Sequence, residues 1–553
     1  MATGIPTFKV DIAEGMINVD TSADRLFAYC IEADKGPINE PTFVASNKEA
    51  LRKFGKDFAP HFYQNPTGLV IIRVGFDGAK EGEIVYSGKK TGSQTADKLL
   101  TIKARYPGPC KHKVIINHSL IGDGLSLSVV IDDVTSKNYQ NLKDLKKVAE
   151  RINSRFSDFL VAEFELGPDG TPIYDELEND KKTRKYLNAN LVFPSGNTGD
   201  LIGGTNGYML RSTDQQKAEK TGGGYYEVDD EQYGINGTDT SWKSDTEGVK
   251  PNPNTTLQVA YTEAFDKSSY VDVIGVSTLS DKEIVRNVLR THINYMSDPE
   301  VHSYRFGITS VLPTDDDDGV RSISTLASVP QGIDSEWIIL IGQGVVFQKE
   351  GELPFELPPH EAVQLFTGIR SSLGYSEAIF GGEPKKVLRG VVDILPVTND
   401  GIPIAKDDII ELNQAGVCTF KKEYDEVTFV EGVTTLQDED VMTYENMMSI
   451  IAYVVKRLVR IAKPYQGQRL TEDLKTTLQT ALSAELRNIT ESDGTLMALE
   501  EFNIPPYDVQ VYSAAKTKFD ETNRLVRESK IIIQCRIVPI GALRDIDLHV
   551  IAI

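Results

Sequence analysis

Tyr270-Val271-Asp272-Val273-Ile274-Gly275-Val276, Arg305-Phe306-Gly307-Ile308-Thr309-Ser310-Val311-Leu312 and Trp337-Ile338-Ile339-Leu340-Ile341 are apolar runs separated by segments of helical period. Largely apolar runs of this length are the pattern of strands covered on both faces, as in a parallel sheet. Between the first two, Ile284, Val288, Leu289, Ile293 and Met296 recur at the spacing of an amphipathic helix, with Ser280-x-x-Glu283 ahead of them as a capping box. A second helix is expected from Val320, behind the aspartates at 315–318, whose charge suits a helix N-terminus. The pattern is βαβαβ, and it predicts a parallel α/β core.

Working outward, the apolar runs at 27–31 and 69–74, with a short helix at 47–54, read as the N-terminal part of that core, over 21–84. From 85 to 256 the chain turns β-rich and dense in Gly and Thr, with runs at 99–106, 113–118, 125–131 and 159–166, a Pro107-Gly108-Pro109 turn and a helix at 142–155. This segment is expected to be an inserted β-rich surface domain. The central α/β domain would run over 257–425 and an α+β C-terminal domain over 426–528. In the latter, Tyr444, Met448, Ile451, Val455, Leu458 and Ala462 mark one long amphipathic helix, and Leu474, Leu478, Leu482 and Leu486 a second, ahead of a strand at 509–512.

The two ends share a character. Residues 529–553 read as two strands around Pro539-Ile540-Gly541, with Ile546, Leu548, Val550 and Ala552 on one face of the second. Phe8, Val10 and Ile12 alternate in the same way within 1–20. An apolar strand at a chain end is an edge that invites pairing, so 1–20 and 529–553 are expected to be strand arms covered by the fold or by another subunit.

Composition narrows the function classes. At 553 residues, 40% apolar content supports more than one domain. The net charge of −22 disfavours a nucleic-acid-binding role, which needs a basic face. Cys30, Cys110, Cys418 and Cys535 are too scattered for a disulfide framework or zinc site. Residues 1–20 lack a signal-peptide pattern, and the apolar stretch 450–462 is interrupted by Lys456, Arg457 and Arg460, so membrane insertion is not expected.

The search for chemistry returns weak motifs. His360-Glu361-Ala362-Val363-Gln364 lacks the second histidine of a zinc protease and reads as a helix start behind Pro358-Pro359. Gly342-Gln343-Gly344 lacks the third glycine of a dinucleotide loop, since Phe347 stands there, and reads as a strand-ending turn. Gly88-Lys89-Lys90-Thr91 has Glu83 where a phosphate loop needs glycine. Asp315 to Asp318 lack calcium-loop spacing, with Leu326 at the closing position. The remaining signal is cationic: Lys456, Arg457, Arg460, Lys463 and Arg469, with no acidic residue from Asn446 to Leu470. It reads as a solvated helix face or as a docking surface for an acidic protein.

Taken in order along the chain, several pieces resemble the contractile tail sheath proteins of myophages and related injection machines. They are Ala104-Arg105-Tyr106-Pro107-Gly108, Ile451-Ala452-Tyr453-Val454-Val455-Lys456-Arg457 with Pro464-Tyr465, and Phe519-Asp520, Ile537-Val538-Pro539 and Asp545-Ile546-Asp547-Leu548. The resemblance covers most of the chain, with one departure: Cys110-Lys111-His112 follows the Tyr-Pro-Gly turn where the family often has an aromatic residue and Gly-Asn.

The resemblance implies a subtilisin-like core fold without an active site, no enzyme activity, and no cofactor or metal. No His-Gly, Gly-Thr-Ser or Asp-[Ser/Thr]-Gly seats a serine-protease triad here. It implies a structural subunit that stacks as hexameric rings around a tail tube and shortens to drive the tube through a host envelope. Its partners would be other sheath subunits, the tube protein, and the baseplate and tail terminator proteins. Its place would be the virion tail, after synthesis in the host bacterial cytoplasm. Phe8, Val10, Ile12, Ile546, Leu548 and Val550 would be the exchanged strands, and Lys456, Arg457, Arg460 and Lys463 the tube-docking cations. The alternatives are a self-assembling surface or adhesion protein and a subtilase-like hydrolase.

Overall fold

The computed structural model describes most of residues 25–166 and 257–539, apart from 77–78, 80, 90–94, 109–111, 121–123, 133–134, 281, 299–300, 302, 312–322, 382, 397–405, 438–440, 467, 469–470, 501–502 and 520–524. Of 167–256 it describes short strand segments and residue 201. The arm residues Phe8, Val10, Ile12, Ile546, Leu548 and Val550, and the aspartates at 315–318, lie outside the described residues.

The apolar runs build a seven-stranded sheet. Its strands are β1 (Phe27–Ile31), β2 (Thr42–Val44), β3 (Leu69–Arg73), β4 (Gly275–Thr278), β5 (Phe306–Ser310), β6 (Ile338–Ile341) and β7 (Val417–Cys418), in the order β2-β3-β1-β4-β5-β6-β7. All neighbours are parallel except β2, which runs antiparallel to β3 at the edge. β1, β3, β4, β5 and β6 are buried along their whole length, so near-continuous apolar runs are what this sheet requires. At Gly275 a Cβ would sit 2.4 Å from the Phe27 ring, so only glycine lets that ring cross the strand.

Helices α1 (Leu257–Ser268) and α2 (Glu283–Met296) pack on each other, and α2 buries Ile284, Val288, Leu289, Ile293 and Met296 as the periodicity required. α3 (Ile323–Ile333) and α4 (Pro359–Ser372) complete the cover with α5 (Lys406–Gln414). Two details depart from the sequence reading. Ser280-x-x-Glu283 is not a capping box: the helix is capped at Lys282 without a side-chain bond. The Ser280 hydroxyl instead accepts from the Lys282 N–H, and Thr278 Oγ1 from the Ser280 N–H, so local hydroxyl turns delay the helix start. The strand expected from Tyr270 begins at Gly275, because Tyr270 is exposed and Asp272 is held by cations from another helix.

Between β3 and α1 lies a part with its own core. Strands Glu83–Lys89, Ala96–Ala104, Leu160–Phe164 and Leu191–Val192 form one sheet, and Lys113–His118, Leu125–Ile131 and Thr135–Leu142 another. Helix Leu145–Arg155 starts three residues later than the periodicity suggested, capped by Asp144, because Leu142 ends a strand. Ile84, Leu100, Ile102, Val114, Leu127, Val148 and Ile152 share this core, and the Tyr86 hydroxyl donates to Val114 O at 2.6 Å across the two sheets. This part is pinned to the central sheet by buried Arg73, whose Nη1 donates to Gly36 O at 2.8 Å and to Pro107 O at 2.6 Å. The Tyr106-Pro107-Gly108 turn is thus a fastening point, reinforced by the Lys35–Asp132 ion pair.

The C-terminal unit hangs on α6 (Glu445–Ala462), with α7 (Glu472–Asn488) and a long hairpin of β8 (Tyr507–Phe519) and β9 (Leu525–Ile537). α6 serves two cores: Met448 and Ala452 join the central one, while Ile450, Tyr453, Val454 and Leu458 join one shared with Leu478, Leu482, Leu486 and Val509. Its first residue, Glu445, pairs with Arg370 of α4 at 3.2 Å, both side chains being 2% exposed. Burial pushes the Glu445 carboxyl up, and the Arg370 guanidinium beside it opposes this. Removing one member of a buried pair costs about 3–5 kcal/mol because the other charge stays buried. Glu445→Ala is therefore expected to lower urea-unfolding stability by about that amount, and Glu445→Gln, which keeps a hydrogen-bond acceptor, by less.

Candidate assembly interface

The β8–β9 hairpin pairs from Tyr507↔Ile537 to Phe519↔Leu525 and belongs to no larger sheet among the described residues. The sequence reading placed strands at 509–512 and from 529; it missed 513–519, Ser-Ala-Ala-Lys-Thr-Lys-Phe, which lacks apolar alternation. At the base, Val509, Val511, Ile531, Ile533, Cys535 and Ile537 pack towards α7, and Gln479 Nε2 donates to Val509 O at 3.2 Å. A two-stranded ribbon is marginal alone, and among the described residues neither outer edge pairs with a further strand, the geometry that accepts an added one.

The first and last described residues, Arg25 and Pro539, are both held close to this unit. On the C-terminal side, Met497 N–H donates to Val538 O and Val538 N–H to Pro506 O, both at 3.0 Å, fixing the chain as it reaches Pro539. On the N-terminal side, Arg25 Nη1 donates to Leu373 O at 2.9 Å and the guanidinium lies 5.5 Å from the Tyr375 ring centre.

The cation stripe is largely engaged within the chain. Lys456 Nζ meets Asp272 Oδ1 at 2.9 Å and Val273 O at 2.6 Å, and Arg460 reaches Asp272 Oδ2 at 3.4 Å. Arg457 Nε bonds Glu485 of α7, while Lys463 stands exposed in the turn that follows α6. The acids missing from the local sequence come from distant segments, which is why the stripe looked unbalanced. Lys456 and Arg460 therefore join the central and C-terminal parts of the chain, and Arg457 ties α6 to α7.

One serine–histidine contact and the weak motifs can be placed among the described residues. Ser268 and His292 meet at 3.2 Å, but Ser268 Oγ is fully buried and donates to Phe265 O. Burial and the nearby Arg305 charge hold His292 down at about 3, so it is no base for that hydroxyl. Gly342 and Gly344 face Val417 and Leu357 O, and Gln343 bonds Leu395 O and the Phe420 N–H, a packing turn rather than a phosphate loop. His360 lies in the first turn of α4 behind Pro359. Among the described residues no group of three or more His, Cys, Asp or Glu side chains could hold a metal, and no helix is long and apolar enough to cross a membrane.

No family model and no curated protein matches the sequence. Among solved structures, a sheath tail protein from Desulfitobacterium hafniense aligns over 93% of this chain and 96% of its own, with a TM-score of 0.53 at 12% identity. One from Listeria innocua aligns over 92% and 97%, with a TM-score of 0.51 at 11% identity. The fold of this chain is therefore that of the sheath tail proteins.

Asp272 allows a test of the joint between the two parts. Burial pushes its carboxyl up, and Lys456, with Arg460 and Arg305 behind it, outweighs this and leaves it below the usual value. A lowered carboxylate contributes stability above its unfolded pKa and loses it as pH falls through the folded one. With Asp272 59% exposed, the contribution is at most about 1 kcal/mol. The urea midpoint of Asp272→Asn is expected to lie below wild type at pH 7, and the gap to close as pH falls below about 4.

Proposed function

We propose that this protein is the structural subunit of a contractile tail sheath, with a subtilisin-like core that performs no catalysis. It polymerises as stacked hexameric rings around a tail tube and contracts to drive the tube through a host envelope. The observation that carries the reading is the whole-chain fold shared with two sheath tail proteins, spanning the core, the insertion and the ribbon-bearing unit. The open edges of β8 and β9 supply the physical joint: strands containing Phe8, Val10 and Ile12, and Ile546, Leu548 and Val550, add to ribbons of neighbouring subunits. A strand of nine residues reaches about 30 Å, enough to bridge neighbours while the bodies rotate. The basic end of α6, with Lys456, Arg457, Arg460 and Lys463, faces an acidic tube. Its pairing with Asp272 and Glu485 leaves Lys463 and the half-exposed Arg460 as the main contributors. Baseplate and terminator proteins would cap the polymer in the assembled virion tail.

Purified full-length protein is expected to form rings or tubes in negative-stain electron microscopy, and a version ending at residue 539 to remain monomeric. Continued polymerisation of that truncation would sink strand exchange, and tubes that never appear in a shortened form would favour a static surface assembly. Arg460→Glu with Lys463→Glu is expected to abolish co-assembly with the tube protein while self-assembly persists. Unchanged tube binding would discard the docking assignment.

A further inference from the structure

Arg25, Tyr375, Tyr453 and Arg457 stand in one stack. The Tyr375 and Tyr453 rings lie 4.1 Å apart with an interplanar angle of 18°. The Arg25 guanidinium is 5.5 Å from the Tyr375 ring centre, and that of Arg457 is 5.6 Å from the Tyr453 ring centre. Each ring thus has a cation against it, an arrangement that ring quadrupoles favour. The stack is held at both ends: Arg25 donates to Leu373 O, and Arg457 bonds Glu485 of α7, the helix under the ribbon. Arg370, which seats α6, also donates to Gly374 O and Glu377 O and so shapes the loop that presents Tyr375. One residue beyond Arg25 the chain enters the central sheet, where Leu26 O accepts from Ile274 N–H at 2.8 Å.

We propose that this stack is a clamp on the root of the N-terminal arm. It fixes the backbone at Arg25, where the N-terminal segment joins the body, and couples that root to the unit that carries the β8–β9 ribbon. The inference rests on the strand-exchange reading above and deepens it. A pull on an arm docked in a neighbour arrives at Arg25 and passes through two stacked rings and Arg457 to α7, turning that unit as one piece. Without the clamp the arm would still pair with a neighbour, but it would hinge at its root and leave the angle between subunits loosely set. The four side chains are positioning residues, since they act on the joint through the arm.

The test uses the full-length protein as wild type, Arg25→Gln, Tyr375→Leu and Tyr375→Phe, together with a version lacking 1–24. Monomer melting, polymer formation by negative-stain microscopy and the spread of helical twist by cryo-electron microscopy are read for each. Arg25→Gln and Tyr375→Leu are expected to polymerise but to lose uniform twist, whereas Tyr375→Phe, which keeps the stacked ring, retains the wild-type spread. A purely structural role would lower the melting temperature without touching the twist. Wild-type twist in both Arg25→Gln and Tyr375→Leu, with assembly still abolished by deletion of 1–24, overturns the clamp alone. Normal polymers from the deleted version overturn the arm reading and the clamp with it. If Tyr375→Leu fails to fold, Arg25→Gln decides by itself, because it removes only a half-buried cation at the end of the stack.

Discussion

The buried ion pair between Arg370 and Glu445 is the constraint on which the C-terminal half of the molecule depends. α6 belongs to two cores at once, so its angle relative to α4 determines where α7 and the ribbon stand. Apolar packing alone leaves such a helix free to slide or rotate by small steps at little cost, because its contacts are non-directional. A charge pair at its first residue removes that freedom, since displacement would strand two charges in a dry interior. The rest of the Arg370 guanidinium is used on Gly374 O and Glu377 O. One residue therefore fixes both the helix and the loop carrying Tyr375, and Tyr375 then meets Tyr453 two turns along that same helix.

A similar economy holds at the insertion. Its apolar residues form a separate core, so the central sheet must be closed around an interruption. Arg73, at the end of β3, extends its guanidinium to carbonyls on both sides of that boundary, Gly36 O and Pro107 O. Burial lowers its pKa to about 10, and it stays charged at neutral pH. A charged donor bonded to two carbonyls gives the boundary a directional contact that an aliphatic residue would not.

The sequence was most informative where burial is symmetric or periodic. The runs around Ile308 and Ile339 are buried on both faces, and α2 keeps a strict apolar stripe, so the βαβαβ order was legible without contacts. The Ser280 hydroxyl was misread because a capping box and a Ser/Thr turn use the same residue types. The candidate interface was legible only in part. The cations of α6 could be found, but their partners Asp272 and Glu485 lie in other segments, and ion pairs across such distances leave no local pattern. The far half of the ribbon was missed for a related reason. Residues 513–519 are held in strand geometry by main-chain pairing with Leu525–Ile531, and main-chain bonds do not select residue types strongly.

That last property bears on the low identity to the solved sheath tail proteins. A fold shared over 93% of the chain at 12% identity means that few side chains are retained in register. Interfaces built from side-chain complementarity would have to be rebuilt repeatedly over such divergence, with each mismatch leaving a cavity or an unpaired charge. An edge strand asks much less: alternating apolar residues on one face, any polar residue on the other, and backbone groups that every residue except proline supplies. The base of the ribbon is fixed by packing on α7, while the strand addition proposed for its edges would demand only an extended segment of the right length. The proposed joint would tolerate sequence drift and rotation of the bodies it connects for the same reason, because the bonds that hold an added strand lie in the main chain.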